Sequence, residues 1–473
     1  MRAQTLDATE TNSPLNSQSD LNNESNLNNL SNDKPARRPG RLELLDAVAA
    51  MDVPFVQHEI AHRPVLFVND PELIAQVLHA HAASFEKSEF QKRVMGVAEG
   101  SETGLGNGML TSSNAVNKAQ RKLMGRIFSP AAMRRHVHEV AALATAERDR
   151  WADGAIVELG EAFMRLSTRV VARTLFSWDL GSDEERIVDD LALIGSLLGR
   201  SAAQRRAGWE DPTVIERAGA FIEERLMAKV AERRSAGMPD GYAADVIDLL
   251  LHAQAEGTAD GEYVVTDRQI RDDLVTLFIT GAENPRNALT WTLYLLGRHP
   301  EAAQQIRDEV RAAGADTADI TLDTLQRLPY TLQVFKEALR LYPPGYAFGR
   351  RAIADVRIGT IDVAAGTEVV VSPYALHRRA SLFERPLEFD PSRFDKSRES
   401  QRHQCAFLPF GVGPRGCIGG GFALMEGHTI LATLLGSLQF VLVSNAAVLP
   451  EPRMTLRPGG PVPVVVRREV ARG

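Results

Sequence analysis

Long apolar runs, cysteines and an excess of positive charge are all missing from this chain. No stretch of about 18 apolar residues occurs, so no transmembrane helix and no membrane anchor are expected. The N-terminus lacks a short apolar core, so no signal peptide is expected either. There are two cysteines, Cys405 and Cys417, in 473 residues. A secreted, disulfide-stapled scaffold is therefore not expected, and a reduced, cytoplasmic setting fits better. Lysine and arginine number 54 against 61 acidic residues, a net charge of −7. That balance offers no footprint for a nucleic-acid partner. What is present is 44% hydrophobic residues. These can fill the core of one large domain, or of two or three ordinary ones.

Residues 1–40 are rich in Asn, Ser, Asp and Thr and lack aromatic residues, Val and Ile. The run Asn22-Asn23-Glu24-Ser25-Asn26-Leu27-Asn28-Asn29 is close to low complexity. Such a segment cannot bury enough apolar area to offset its ordering entropy. It reads as a disordered polar tail ending near Pro35-Ala36-Arg37-Arg38-Pro39, ahead of one folded domain over residues 41–473.

Helical signals dominate that domain. Arg63–Val68 reads as a short strand, and Asp70-Pro71 then caps and opens a helix through Leu78. Glu86 to Thr111 is a glycine-rich loop, and long loops inside domains are often functional. A basic amphipathic helix starts at Asn117 and ends at Phe128-Ser129-Pro130. Helical periodicity continues over 133–151, 161–178 and 183–198. It returns at Asp211 with Ile215, Ala218, Phe221, Ile222 and Leu226 on one face. Thr266-Asp267-Arg268-Gln269 is a capping box that opens a long helix to about Arg298. Pro285 sits in its middle and removes the donor for the carbonyl of Gly281, which predicts a kink there. Glu337 and Arg340 are three apart on a further helix and can pair.

The densest signal lies near the C-terminus, in Phe410-Gly411-Val412-Gly413-Pro414-Arg415-Gly416-Cys417-Ile418-Gly419. Glycines let a backbone turn tightly and lie against a flat ligand. A helix follows directly, and its positive N-terminus favours a thiolate. Phe410, Gly413, Arg415, Cys417 and Gly419 match, position by position, the haem-binding loop of the cytochrome P450 family. The match is specific, and the resemblance extends over roughly residues 41–470. The long-helix pattern, Glu337-Ala338-Leu339-Arg340, and the Pro391-Ser392-Arg393-Phe394 segment occur in the family's order.

The resemblance implies a mainly α fold with a small β region, the cytochrome P450 fold. It implies haem b as cofactor, with Cys417 as the thiolate ligand of the iron. Arg415 would reach a haem propionate, and Phe410, beside Gly411, would shield the sulfur side of the ring. Arg121 would hold a propionate, while Asn117 stands where the family has Trp or His. Arg350 or Arg351 would hold another, and both stay open. Glu337, Arg340 and Arg393 would lock the core structurally. Tyr346, Ala347 and Phe348 would face the substrate. In the long helix the family has Ala/Gly-Gly-x-Asp/Glu-Thr-Thr/Ser, and this chain reads Thr280-Gly281-Ala282-Glu283-Asn284-Pro285. Thr280, Glu283 and Asn284 would handle oxygen and protons, with an amide in place of the alcohol.

The implied reaction inserts one oxygen atom from O₂ into a small apolar molecule by hydroxylation or epoxidation, in secondary metabolism. No flavin or iron–sulfur motif follows Cys417. Electrons would therefore come from a separate ferredoxin- or flavodoxin-type donor, with Lys118 and the basic residues 121–126 on its docking face. Two other readings stand beside this one. Asn284 motivates a peroxide-using or hydroperoxide-rearranging haem-thiolate enzyme. A haem-based sensor or binder without turnover is the other, against which the retained Glu283 argues.

Overall fold

The long helix Asp267–Arg298 is the axis of the molecule in this computed structural model, which describes residues 40–60, 63–88, 105–198, 213–237, 245–257, 263–315 and 320–468. The polar tail 1–39 and parts of the 86–111 and 180–215 loops lie outside the described residues. Thr266 caps the long helix by accepting from the Gln269 N–H at 3.1 Å. Only half of the expected capping box forms. The Gln269 side chain donates instead to the Asn107 carbonyl and to Asp273.

The long helix is apolar nearly all round, as befits a helix buried within a large domain. It packs along Leu159–Phe176, and Gly281 makes this possible: a Cβ there would stand 2.7 Å from Val171 Cγ2. The helix stays α through Pro285 to Arg298. One core cluster gathers Trp291, Leu293 and Leu296 against Phe335, Leu339 and the helix Gly420–Leu435. A second gathers Phe278 and Leu274 against Phe176, Trp178 and the helices Glu184–Leu197 and Thr213–Ala236. The cavity-bearing middle of the long helix lies between these two apolar masses.

The β structure is small. Its largest sheet has five strands in the order Phe55–Ile60, Arg63–Val68, Glu368–Val371, Phe348–Ala352, Phe85–Lys87. Arg63–Val68 pairs parallel with Glu368–Val371, and the other pairs are antiparallel. Asp70 caps the next helix as expected, accepting from Glu72 and Leu73 N–H at 2.9 and 3.2 Å. That helix is α only over Pro71–Ala75 and widens to a π turn over Gln76–Ala80.

Behind the cysteine loop lies a buried charge cluster. Arg340 donates from Nε and Nη2 to the two Glu337 oxygens, both at 2.7 Å. Its remaining donors reach the carbonyls of His377, Pro386 and Glu388. Arg393 Nε stands 3.4 Å from Glu337, and the Asp390 N–H donates to Glu337 at 2.9 Å. The cluster ties the helix Pro329–Leu341 to the 377–393 segment.

Candidate active site

A cavity of about 350 Å³ opens between the long helix and the cysteine loop. Backbone geometry shapes the loop first. Gly411 and Gly413 have φ of +64° and +75°, a region closed to most side chains. Gly413 has a second reason to be glycine: a Cβ there would stand 1.9 Å from the Leu78 carbonyl oxygen. The Cys417 N–H donates to the Phe410 carbonyl at 2.7 Å, closing the loop. The helix Gly420–Leu435 starts just beyond it.

Cys417 lines the cavity. Its side chain keeps accessible surface although it lies among the residues of the cavity wall. Burial pushes its thiol above the ordinary value, and the Gly419 N–H and the Arg121 charge pull the other way. Cys405 is buried in the cluster around the five-stranded sheet and does not line the cavity.

Three guanidinium groups line the same cavity: Arg121, Arg350 and Arg415. Arg121 donates to the Gly416 carbonyl at 2.6 Å, bracing the cysteine loop. Arg415 donates to Asn114 Oδ1 at 3.0 Å and to the Ser112 carbonyl, and its Nη1 is buried with no partner. Burial, then the charge of Arg415, pushes Arg350 down to about 10. Burial, joined by the charge of Arg121 and opposed by Glu86, pushes Arg415 down to about 10. The carboxyl on the cavity wall is Glu426, and burial raises it well above the usual carboxylate range. The wall thus carries several cations and a few neutral polar groups, and is otherwise apolar, with Phe348, Phe410, Leu339, Ala347 and Val412 among its lining residues.

The alternation of the strand Phe348–Ala352 separates Arg350 from Arg351. Arg350 is buried and faces the cavity, while Arg351 is exposed on the opposite face and does not line it. Ala347 and Phe348 line the cavity, but Tyr346 does not. The Tyr346 hydroxyl donates to the Arg453 carbonyl at 3.1 Å, and its ring packs with Phe67 and Tyr374. The expectation that Tyr346 faces substrate is corrected accordingly.

On the long helix Thr280 and Asn284 line the cavity, and Glu283 does not. The Thr280 hydroxyl donates to the Thr276 carbonyl at 2.7 Å, and the Asn284 amide to the Thr280 carbonyl at 3.0 Å. Asn284 therefore spends an N–H on its own helix. Glu283 is buried on another face, against Asn287 and Thr455. Asn117, buried on the cavity wall, donates to the Met109 carbonyl at 2.7 Å. Among the lining residues that carried no sequence signal are Glu426, on a nearly all-apolar helix, and Thr455, in the C-terminal hairpin region.

A mostly helical fold turns one thiol and three guanidinium groups into a largely apolar cavity, an arrangement suited to an anionic group that carries a soft metal. Comparison with known proteins makes this specific. A sequence profile of the Cytochrome P450 family matches residues 40–462. Cyclooctatin synthase of Streptomyces melanosporofaciens is 30% identical over 420 residues, covering 85% of this chain and 86% of that one. Pentalenene oxygenase of Streptomyces avermitilis is 29% identical over 385 residues, covering 80% and 82%. Cyclooctat-9-en-7-ol 5-monooxygenase of Streptomyces melanosporofaciens is 31% identical over 377 residues, covering 77% of each chain. The solved structure of the cytochrome P450DA heme domain superposes with a TM-score of 0.75 at 24% identity, covering 91% of this chain and 93% of that one.

The chain belongs to the cytochrome P450 family. It is a monooxygenase that carries haem iron, uses O₂ and receives electrons from a redox partner. The cavity fits that cofactor on its own evidence. An unpartnered Arg415 Nη1 and a cluster of three guanidiniums on the wall call for an anionic ligand. A thiol faces the same space and suits a soft metal ligand. Among the described residues, no helix is long and apolar enough to cross a membrane.

Proposed function

We propose that this chain inserts one oxygen atom from O₂ into a C–H or C=C bond of a small, oxygen-poor, unsaturated carbon skeleton, in secondary metabolism. The convergence of Cys417 and three guanidiniums on one apolar cavity carries the reading. The names of the Streptomyces relatives, an -ene oxygenase and an -en-ol monooxygenase, support the substrate class. The cofactor is haem b, which when bound supplies the O₂ activation that no side chain can. Cys417 is its iron ligand. Arg121, Arg350 and Arg415 hold its carboxylates, with Phe410 and Gly411 against the ring.

The other wall groups orient and exclude. Ala347, Phe348 and Leu339 hold an apolar substrate by burial alone, which fixes shape more than orientation. Their apolar surface also keeps bulk water from the reacting centre. Glu337, Arg340 and Arg393 hold the frame behind the loop. Residues 41–473 form the one catalytic domain, in a cytoplasmic setting. Electrons come from a separate ferredoxin- or flavodoxin-type donor.

The test is turnover of purified holoprotein with NADPH and a surrogate ferredoxin and reductase pair, over a panel of cyclic olefins and alkenols. Oxygenated product with NADPH consumption is expected. Product from hydrogen peroxide with none from NADPH and O₂ would replace this reading with the peroxide-using one. The reduced carbon monoxide adduct should show the red-shifted Soret band of thiolate ligation. Cys417→Ser should lose it and Cys405→Ser should keep it, and the reverse would overturn the ligand assignment.

A further inference from the structure

The acid of the long helix sits one hydroxyl away from the cavity. Glu283 Oε1 accepts from Asn287 Nδ2 at 3.0 Å and from Thr455 Oγ1 at 3.2 Å. The same Asn287 amide nitrogen donates to Thr455 Oγ1 at 2.9 Å. Thr455 is on the cavity wall, whereas Glu283 and Asn287 are not. On its far side, Glu283 Oε2 stands 3.5 Å from Arg286 Nη1, and that side chain is 17% exposed. The carboxylate thus lies between a guanidinium with access to solvent and the hydroxyl of a residue on the cavity wall.

Cavity-facing groups of the long helix itself are committed elsewhere. Thr280 gives its one hydroxyl proton to the Thr276 carbonyl, and Thr276 gives its own to the Leu105 carbonyl. Asn284 is tied to the Thr280 carbonyl, and Pro285 has no N–H. Among the described residues on the wall, Thr455 is the hydroxyl that meets an acid.

A hydroxyl has one proton and two acceptor sites. One site of Thr455 Oγ1 is filled by Asn287. The proton and the second site can exchange roles. With Glu283 ionised, the hydroxyl donates to the carboxylate. With Glu283 protonated, the carboxyl donates to the hydroxyl, whose own proton turns into the cavity. One proton on the carboxyl and a rotation about one C–O bond separate the two arrangements, and handing that proton to the hydroxyl as the hydroxyl releases its own returns the first.

We propose that Thr455 passes protons from Glu283 into the cavity, in place of an alcohol on the long helix, with Asn287 as the positioning residue. The proposal rests on the monooxygenase reading. That reaction takes two protons and two electrons with each O₂, placing one oxygen atom in substrate and releasing the other as water.

The test uses holoprotein with the surrogate electron donors. Thr455→Val keeps the shape of the side chain and removes its hydroxyl. Product per NADPH should fall about tenfold, the effect of one lost hydrogen bond, with the balance released as hydrogen peroxide. The solvent deuterium isotope effect on turnover should rise, while haem content and the substrate-induced Soret shift stay in place. Thr455→Ser should restore coupling. Independently of turnover, the infrared carboxylate band of Glu283, identified by its loss in Glu283→Gln, should change frequency in Thr455→Val, which removes the hydrogen bond to Oε1, and return in Thr455→Ser. A shifted band with unchanged coupling overturns the relay and leaves the monooxygenase reading standing. A wild-type holoprotein that oxidises no NADPH with any substrate overturns that reading, and the relay with it.

Discussion

Replacing Glu337 by glutamine keeps the shape of the side chain and removes its charge. In the native protein Glu337 accepts from Arg340 twice at 2.7 Å and from the Asp390 N–H at 2.9 Å, with Arg393 Nε at 3.4 Å. The side chains of Glu337, Arg340 and Arg393 are at most 2% exposed. Glutamine offers one oxygen and an NH₂ group, so one face of Arg340 would meet donor against donor. At least one charge-assisted bond is lost, worth ~1.5–3 kcal/mol. Two guanidinium charges also stay buried without a counter-charge, and breaking such a buried pair costs ~3–5 kcal/mol in all. The molecule carries its own control. Arg385 and Glu388 have the same three-residue spacing and the same 2.7 Å contact, yet are 59% and 57% exposed. Glu388→Gln should cost less than ~1 kcal/mol. With an unfolding entropy of ~2.1 cal/mol/K per residue over about 430 residues, ~4 kcal/mol lowers Tm by about 4 °C. Denaturant unfolding of the holoprotein, followed by circular dichroism, reads both variants. Equal shifts for Glu337→Gln and Glu388→Gln would refute the argument that burial, not spacing, gives the pair its weight.

Arg350→Ala should weaken haem binding by roughly tenfold to a hundredfold, the effect of one charge-assisted bond. Arg351→Ala should leave it unchanged, and haem transfer to apomyoglobin measures both. Burial, with the charge of Asp272 behind it, pushes Asp273 up to about 7 from 3.8. Its contribution to stability is therefore full below about pH 4 and is lost as pH rises through about 7. Asp273→Asn should gain on the wild type in Tm between pH 5 and 8, and a constant difference over that range would contradict the sign. Asn284→Ala should raise peroxide release less than Thr455→Val does, because the Asn284 amide already serves the Thr280 carbonyl. The comparison is made by peroxide released per NADPH.

Features fixed by nearest neighbours in the chain were legible in the sequence. Glycines set the shape of the cysteine loop through φ alone, and the Asp70 and Thr266 caps depend on residues two or three positions away. Glu337 and Arg340 were legible for the same reason. The direction of a side chain about a helix or strand axis was harder to read. Adjacent Arg350 and Arg351 must face opposite ways on a strand. Which one faces inward is set by the neighbouring strands, not by the pair. Glu283 sits beside Asn284, yet about 100° around the helix, and packing against Thr455 decides where its carboxylate goes. Asn287, four residues on from Glu283, carried a readable spacing. Thr455, 172 residues away, carried none.

The brace of the cysteine loop also sets a timetable for the chain during synthesis. Arg415 bonds to Asn114, 301 residues earlier, and the Gly416 carbonyl accepts from Arg121, 295 residues earlier. Gly413 nests against Leu78. Nearly the whole domain must leave the ribosome before these early and late segments can meet. The sulfur and the guanidiniums do not share a cavity until then, so on the proposed assignment cofactor capture is expected late in synthesis or after it. A nascent chain arrested before residue 413 carries Arg121 and the long helix but lacks Arg415 and Cys417, and is expected to retain no haem.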